Sequence, residues 1–278
     1  MNDYYSKILD NLENKFQEAK RRLGLDKILD DNRPKIYITK SKRFGGLTLQ
    51  IFGKNIIIMN KKLFSHYKDL ISTYFHERIH TLRNKNSKRI LIRYGIALSS
   101  IALYYLYPQF PILSLVPWSY LLYDYISSRT KYGSIDETVT EALAILFLSK
   151  IFGKEYIRDM IRNDYKIDEK VRDNYIIRVK IKSKIKRILW RIEDLIFSNY
   201  SDISYYLGDI IGYLLSNIDE EKQKEIAYEL IFTYNKKKLR EILVKIRNYL
   251  PKNNELINYY NKAIKYLDGE VKKKIVYS

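Results

Sequence analysis

Apolar residues recur at helical spacing along almost the whole chain, and the pattern turns to strand-like alternation in one window only, between residues 35 and 59. There Ile36-Tyr37-Ile38-Thr39, Leu47 to Phe52 and Asn55 to Met59 read as three strands, with Gly45-Gly46 and Gly53-Lys54 as the turns between them. A three-strand antiparallel meander is the expected arrangement. Ahead of it, Met1 to Leu23 reads as a charged amphipathic helix with Tyr4, Ile8, Leu12, Phe16 and Leu23 apolar, and not as a signal peptide. Behind it, Lys61 to Leu82 is helical, with Leu63, Tyr67, Leu70, Ile71 and Tyr74 on one stripe, and Ser134 to Ile151 is an apolar-rich helix. From Lys154 onward the chain reads as a series of amphipathic helices. Gly and Pro are scarce, at 10 and 5, so few turns interrupt them. The expected fold class is mostly α with a small antiparallel β-sheet. It divides into an N-terminal helix (1–34), a core (35–150) and a helical C-terminal half (151–278).

The chain has no cysteine. Disulfides, thiolate metal sites, iron–sulfur clusters and a cysteine nucleophile are excluded. A protein-bound transition metal must use His, Asp or Glu, and only His66, His76 and His80 exist. Two of them stand in His76-Glu77-Arg78-Ile79-His80, the HExxH pattern. On a helix, positions i and i+4 share a face, so both imidazoles reach one ion. Glu77 projects toward the ion's open side, where it can take a proton from a water that the metal acidifies and pass it to a leaving amine.

A third ligand is still needed, and no histidine follows. Between His80 and Glu137 the only acidic residues are Asp124 and Asp136. Glu137 and Glu141 sit one turn apart at the start of an apolar helix. Glu137 is the expected metal ligand, and Glu141 the group that orients a ligand histidine through its free ring nitrogen. The plainer alternative is that acidic residues simply favour a helix N-terminus.

HExxH followed by Glu137 and Glu141 resembles the gluzincin metallopeptidases, and more narrowly their membrane-embedded members, the CAAX prenyl-protein endopeptidases and heat-shock membrane peptidases. The similarity spans residues 35–150. Where that family has Glu-x-x-Ala-Asp, this chain has Glu137-x-x-Thr140-Glu141. The resemblance implies a zincin-like α+β core and a zinc-dependent endopeptidase. It implies Zn2+ on His76, His80 and Glu137, Glu77 as general base, and Glu141 on His76. It also implies that an extended peptide pairs with a strand, either Leu47–Phe52 or Asn55–Met59.

Tyr94 to Tyr123 carries no Asp, Glu, Lys or Arg and holds Pro108, Pro111 and Pro117. One membrane crossing would separate His80 from Glu137. Residues 90–126 are therefore expected as a hairpin with arms of roughly 17 and 16 residues, or as a buried core. Basic flanks place a hairpin in the cytoplasmic membrane with the active site facing the cytoplasm; as a buried core, the protein is expected in the cytoplasm. The net charge of +19 favours anionic partners. Arg178, Lys180, Lys182, Lys184, Lys186, Arg187 and Arg191 could bind phosphate or lipid, but a solvated face of a long helix is the plainer reading. The expected partner is a protein or peptide substrate, with nucleic acid disfavoured for want of a motif. The competing reading is a basic helical nucleic-acid- or lipid-binding protein with a structural or vestigial zinc site, which would need no Glu77. Tyr205, Tyr206 and Tyr213 are eligible to stabilise an oxyanion.

Overall fold

The computed structural model describes all residues except 1–2, 27–31, 41–44, 52–53, 86–88, 107–108, 111–116, 118, 120–128, 131–132, 162–175, 180–201, 269–273 and 278. The fold is mostly helical with one small three-stranded sheet. Helix α1 (Asp3–Arg22) buries Leu9, Leu12, Phe16 and Ala19 at helical spacing. Tyr4, expected on that stripe, is exposed. The helix ends where Gly24 takes φ +66°, with Gly24 N–H donating to the Arg21 carbonyl and Leu25 N–H to that of Lys20, a left-handed cap that glycine adopts without strain.

Strands β1 (Lys35–Thr39), β2 (Gly46–Ile51) and β3 (Lys54–Asn60) do not form a meander. The spatial order is β1-β3-β2, with β2 antiparallel to β3 and β1 parallel to it. The expected antiparallel sheet is therefore mixed. Chain neighbours suggested β1 beside β2, but the most apolar strand, Ile56-Ile57-Ile58-Met59, takes the middle, where both its edges are paired and Ile57 and Met59 are buried. This leaves β2 at an edge.

Asn60 caps a short 3-10 turn (Lys61–Ser65), accepting from Lys62 N–H. Helix α2 (Tyr67–Lys85) begins only after it. Of the expected stripe, Leu70, Ile71 and Tyr74 are buried, whereas Tyr67 is 49% exposed. From Tyr74 to Arg83 nearly every side chain is buried, charged ones included. Helix α3 (Arg89–Leu106) exposes Leu98, Ile101, Tyr105 and Leu106. No described helix is long and apolar enough to cross a membrane. Most of the second arm of the expected hairpin, all but residues 117 and 119, lies outside the described residues.

After a two-residue pairing of β4 (Arg129–Thr130) with β5 (Gly133–Ser134), helix α4 (Ile135–Phe152) runs through the centre. Ser134 caps it, and Thr138 to Ser149 are buried without a break. Residues 154–161 are helical. Strand β6 (Ile176–Val179) puts Arg178 in a strand, not a helix, paired with β7 (Lys274–Tyr277); Lys180 to Arg191 lie outside the described residues. Helices α5 (Asp202–Ser216), α6 (Glu220–Ile231), α7 (Lys236–Tyr249) and α8 (Asn254–Asp268) follow. One hydrophobic core includes residues of α1, β3, α2 and α4 through α8.

Helix α5 lies against α4 through two glycines four residues apart. A Cβ on Gly208 would stand 2.5 Å from Glu141 Cβ and 2.7 Å from the Thr138 carbonyl, and one on Gly212 would stand 2.5 Å from Ile145 Cβ. Gly212→Ala gains helix propensity of about 1 kcal/mol but overpacks this contact at a cost of about 1–3 kcal/mol. We expect it to lower the melting temperature. Gly95→Ala, in α3 with nothing within 4 Å of its Cβ, should raise it by the propensity alone. Thermal unfolding of the two variants checks the pair, and equal shifts would contradict the contact.

Candidate metal centre

Helix α2 presents His76 and His80 from consecutive turns, and α4 brings Glu137 from its first turn. His76 Nε2 lies 3.1 Å from His80 Nε2 and 3.1 Å from Glu137 Oε2, and His80 Nε2 lies 3.3 Å from the same oxygen. Among the described residues this trio is the group that could hold a metal ion. His66, the third histidine, is exposed at the end of the 3-10 turn and takes no part.

Hydrogen bonding fixes what these atoms offer. His76 Nδ1 is 2.5 Å from Glu141 Oε2. A carboxylate only accepts, so Nδ1 carries the proton and the lone pair of neutral His76 is on Nε2, aimed at Glu137. His80 Nδ1 faces Thr140 Oγ1 at 3.4 Å and Asp136 Oδ2 at 3.8 Å, so its Nε2 turns the same way. Two imidazole nitrogens and a carboxylate oxygen thus converge on one point, an arrangement that could hold a metal ion. Ligands about 2.0–2.1 Å from a tetrahedral ion stand about 3.3 Å from one another. The spacings of 3.1, 3.1 and 3.3 Å fit such an ion.

The electrostatics agree. Burial alone would lower both imidazole pKa values, but hydrogen bonds and charge from Glu137 and Glu141 raise His76 well above its ordinary value, and Glu137 raises His80. Burial would raise Glu137, yet His80 and His76 hold it well below the usual carboxylate range. The carboxylates therefore favour positive charge at the imidazoles, and a metal bound there would compete with protons.

Glu77 points to the other wall. Thr48 on β2 donates its hydroxyl to Glu77 Oε2 at 2.6 Å. A Cβ on Gly46 would come within 2.6 Å of Glu77 Oε1, so only glycine leaves room for the carboxylate against the strand. Tyr205, from the first turn of α5, lies against His76 with its ring tilted by 44° and centred 5.2 Å from the imidazole. Burial and the negative charges of Glu137, Glu141 and Glu77 raise its phenol pKa, and it is hydrogen-bonded to Glu137. Of the three tyrosines eligible from sequence, Tyr206 packs on Tyr266 and Tyr213 on Tyr259 instead.

Two ion pairs hold α2 in place, one buried and one with a part-exposed aspartate. Arg78, fully buried inside the HExxH run, makes a bidentate pair with Glu13 of α1 at 2.8 Å in both arms, beneath Phe16. Tyr74 and Gln17 also donate to Glu13. Burial would raise the Glu13 pKa, but Arg78 and these donors keep it below its ordinary value. Arg83 pairs with Asp136 at 2.7 Å. Sequence reasoning passed over Glu13, Thr48, Gly46, Arg83 and Asp136. The spacing of Gly208 and Gly212 was a readable sign that α5 approaches another helix closely, but nothing in it named α4.

No family model matches the chain, and no curated protein and no solved structure matches it.

The purified protein should take up about one zinc ion per chain. Glu137→Ala, which removes a ligand, should weaken binding more than Glu141→Ala, which removes an orienting partner worth about 10–100-fold. Because His76 is raised above 6.5, affinity should begin to fall on the alkaline side of that value as pH drops. Zinc titration by calorimetry across pH measures all three, and the reverse ranking of the two variants would move the ligand to Glu141.

Proposed function

We propose that this chain is a zinc-dependent peptidase of the gluzincin kind, cutting peptide bonds with Glu77 as general base. His76, His80 and Glu137 would hold the ion, since two nitrogens and one carboxylate oxygen with a further position open suit catalytic zinc. When bound, the ion supplies a Lewis acid that makes water acidic near neutral pH and polarises a carbonyl.

The rest belongs to the chain's own groups. Glu77 takes a proton from water and returns it to the departing amine. Thr48 holds the Glu77 carboxylate through Oε2, which fixes its direction. Glu141 keeps the His76 proton on Nδ1. The Tyr205 phenol stays protonated through the working pH range, because burial and three carboxylates oppose its ionisation. It is a neutral donor beside the trio that can turn to negative charge developing on substrate oxygen. Strand β2 is an edge strand beside Glu77, and an extended peptide would add to it as a further strand. Strand β3, the other strand considered for this role, is paired on both sides and is not proposed.

The observation that supports this reading above a structural zinc site is Glu77. A site that only braces the fold needs ligands, yet here a buried carboxylate shares the helix of both histidines and, among the described residues, is held by a hydroxyl. Glu77→Gln should keep zinc and lose hydrolysis, since an amide cannot accept the proton. Thr48→Val should lower kcat about tenfold, the worth of one hydrogen bond, and Thr48→Ser should restore it. The assay is digestion of an unbiased peptide library by metal-loaded protein. Equal cleavage by parent and Glu77→Gln would defeat the proposal.

A further inference from the structure

Arg83 lies at the end of α2, in a stretch whose sequence looks like basic surface, yet it is fully buried. Its guanidinium faces two ways. Toward α4, Nη2 and Nε donate to Asp136 Oδ1 at 2.7 and 3.2 Å. Toward the C-terminal helices, Nη1 donates to the Leu230 carbonyl at 2.7 Å and Nη2 to the Thr233 carbonyl at 2.8 Å. Leu230 lies in the last turn of α6, where its carbonyl also accepts from Thr233 N–H at 2.9 Å, and Thr233 lies two residues past the helix end at Ile231; carbonyls at this end carry the negative end of the helix dipole. Tyr234, just beyond, covers the guanidinium at 4.6 Å and donates its hydroxyl to the Arg83 carbonyl at 3.1 Å.

Asp136 continues the line. With Oδ1 taken by Arg83, its other oxygen faces His80 Nδ1 at 3.8 Å, beside Thr140 Oγ1 at 3.4 Å. Hydrogen bonds connect the α6 terminus, Arg83 and Asp136, and the last step, from Asp136 to His80, is a charge contact at 3.8 Å, longer than a hydrogen bond. His76 has its own support in Glu141, and this series is the matching support for His80.

We propose that Arg83 and Asp136 are positioning residues through which the end of α6 sets the metal affinity of His80. The inference rests on the metal reading of His76, His80 and Glu137 and extends it to the C-terminal helices. Arg83 pins one oxygen of Asp136, which keeps the negative charge of the other beside His80 Nδ1, favouring the proton on Nδ1 and the Nε2 lone pair toward the ion. Without Arg83, Asp136 is free to turn away or to compete for the metal. Linkage is reciprocal: if the α6 terminus helps to bind metal, metal must tighten the α6 terminus.

The experiment uses the full chain. Removing one member of a buried pair strands a charge, so the informative variant neutralises both, Arg83→Met with Asp136→Asn, which keeps the fold. Zinc is titrated into parent, Asp136→Asn and the paired variant, and amide exchange is followed at residues 230–234 with and without zinc. We expect both variants to bind zinc about 10–100-fold more weakly than the parent, with the paired variant no weaker than Asp136→Asn because the groups act in series. We also expect zinc to slow exchange at 230–234 in the parent and not in the paired variant. Parent-like affinity in the paired variant, or zinc-independent exchange at 230–234 in the parent, overturns the proposal and leaves the metal centre standing. A parent that binds no zinc overturns the metal reading, and this proposal with it.

Discussion

Helix α2 is buried on nearly every side while carrying His76, Glu77, Arg78, His80 and Arg83, and a buried charge is tolerated only where a partner meets it. Each of those side chains must therefore find a group on another element. Glu13 of α1 answers Arg78, Asp136 of α4 answers Arg83, and Glu137 and Glu141 of α4 answer the histidines. Thr48 of β2 answers Glu77. The polar groups fix which faces of α1, β2 and α4 turn toward α2, and the hydrophobic core fills in around that arrangement. A register slip of either helix would leave several buried charges unpaired at once, each costing several kcal/mol.

Helix α4 inherits this constraint and passes it on. Its one acidic turn faces α2, and its remaining length is apolar all round, so it must be covered on the other sides too. Gly208 and Gly212 let α5 come close enough to do so. That approach carries Tyr205 to the His76 imidazole. The C-terminal helices are thus part of the centre's wall, and the end of α6 reaches it through Arg83.

Strand order matters for the same reason. Had the strands followed one another as a meander, β2 would be enclosed on both edges. With β3 in the middle, β2 is left at an edge while Thr48 and Gly46 face Glu77. Backbone able to pair with an extended chain and a carboxylate able to move a proton are therefore neighbours.

A good part of this was legible in the chain. The i, i+4 histidines, the scarcity of acids between His80 and Glu137, and the one-turn spacing of Glu137 and Glu141 follow from helical periodicity, which is local and readable residue by residue. So are the three-stranded sheet between 35 and 60 and the apolar helices around it, but not strands β6 and β7 in the half that reads as helical. What the sequence could not supply were the relations between elements. It did not say that β3 would sit in the middle, because strand order is decided by which strand loses most water. It did not say that Arg83 is interior, because a basic residue among Arg and Lys neighbours looks like surface until a helix end and an aspartate close over it. Nor did it single out Tyr205 from 27 tyrosines, or pair Glu13 with Arg78 across 65 positions. Local spacing determined which residues could share a face; only packing decided which faces meet, since burial and charge pairing are settled between segments and leave no mark in either one alone.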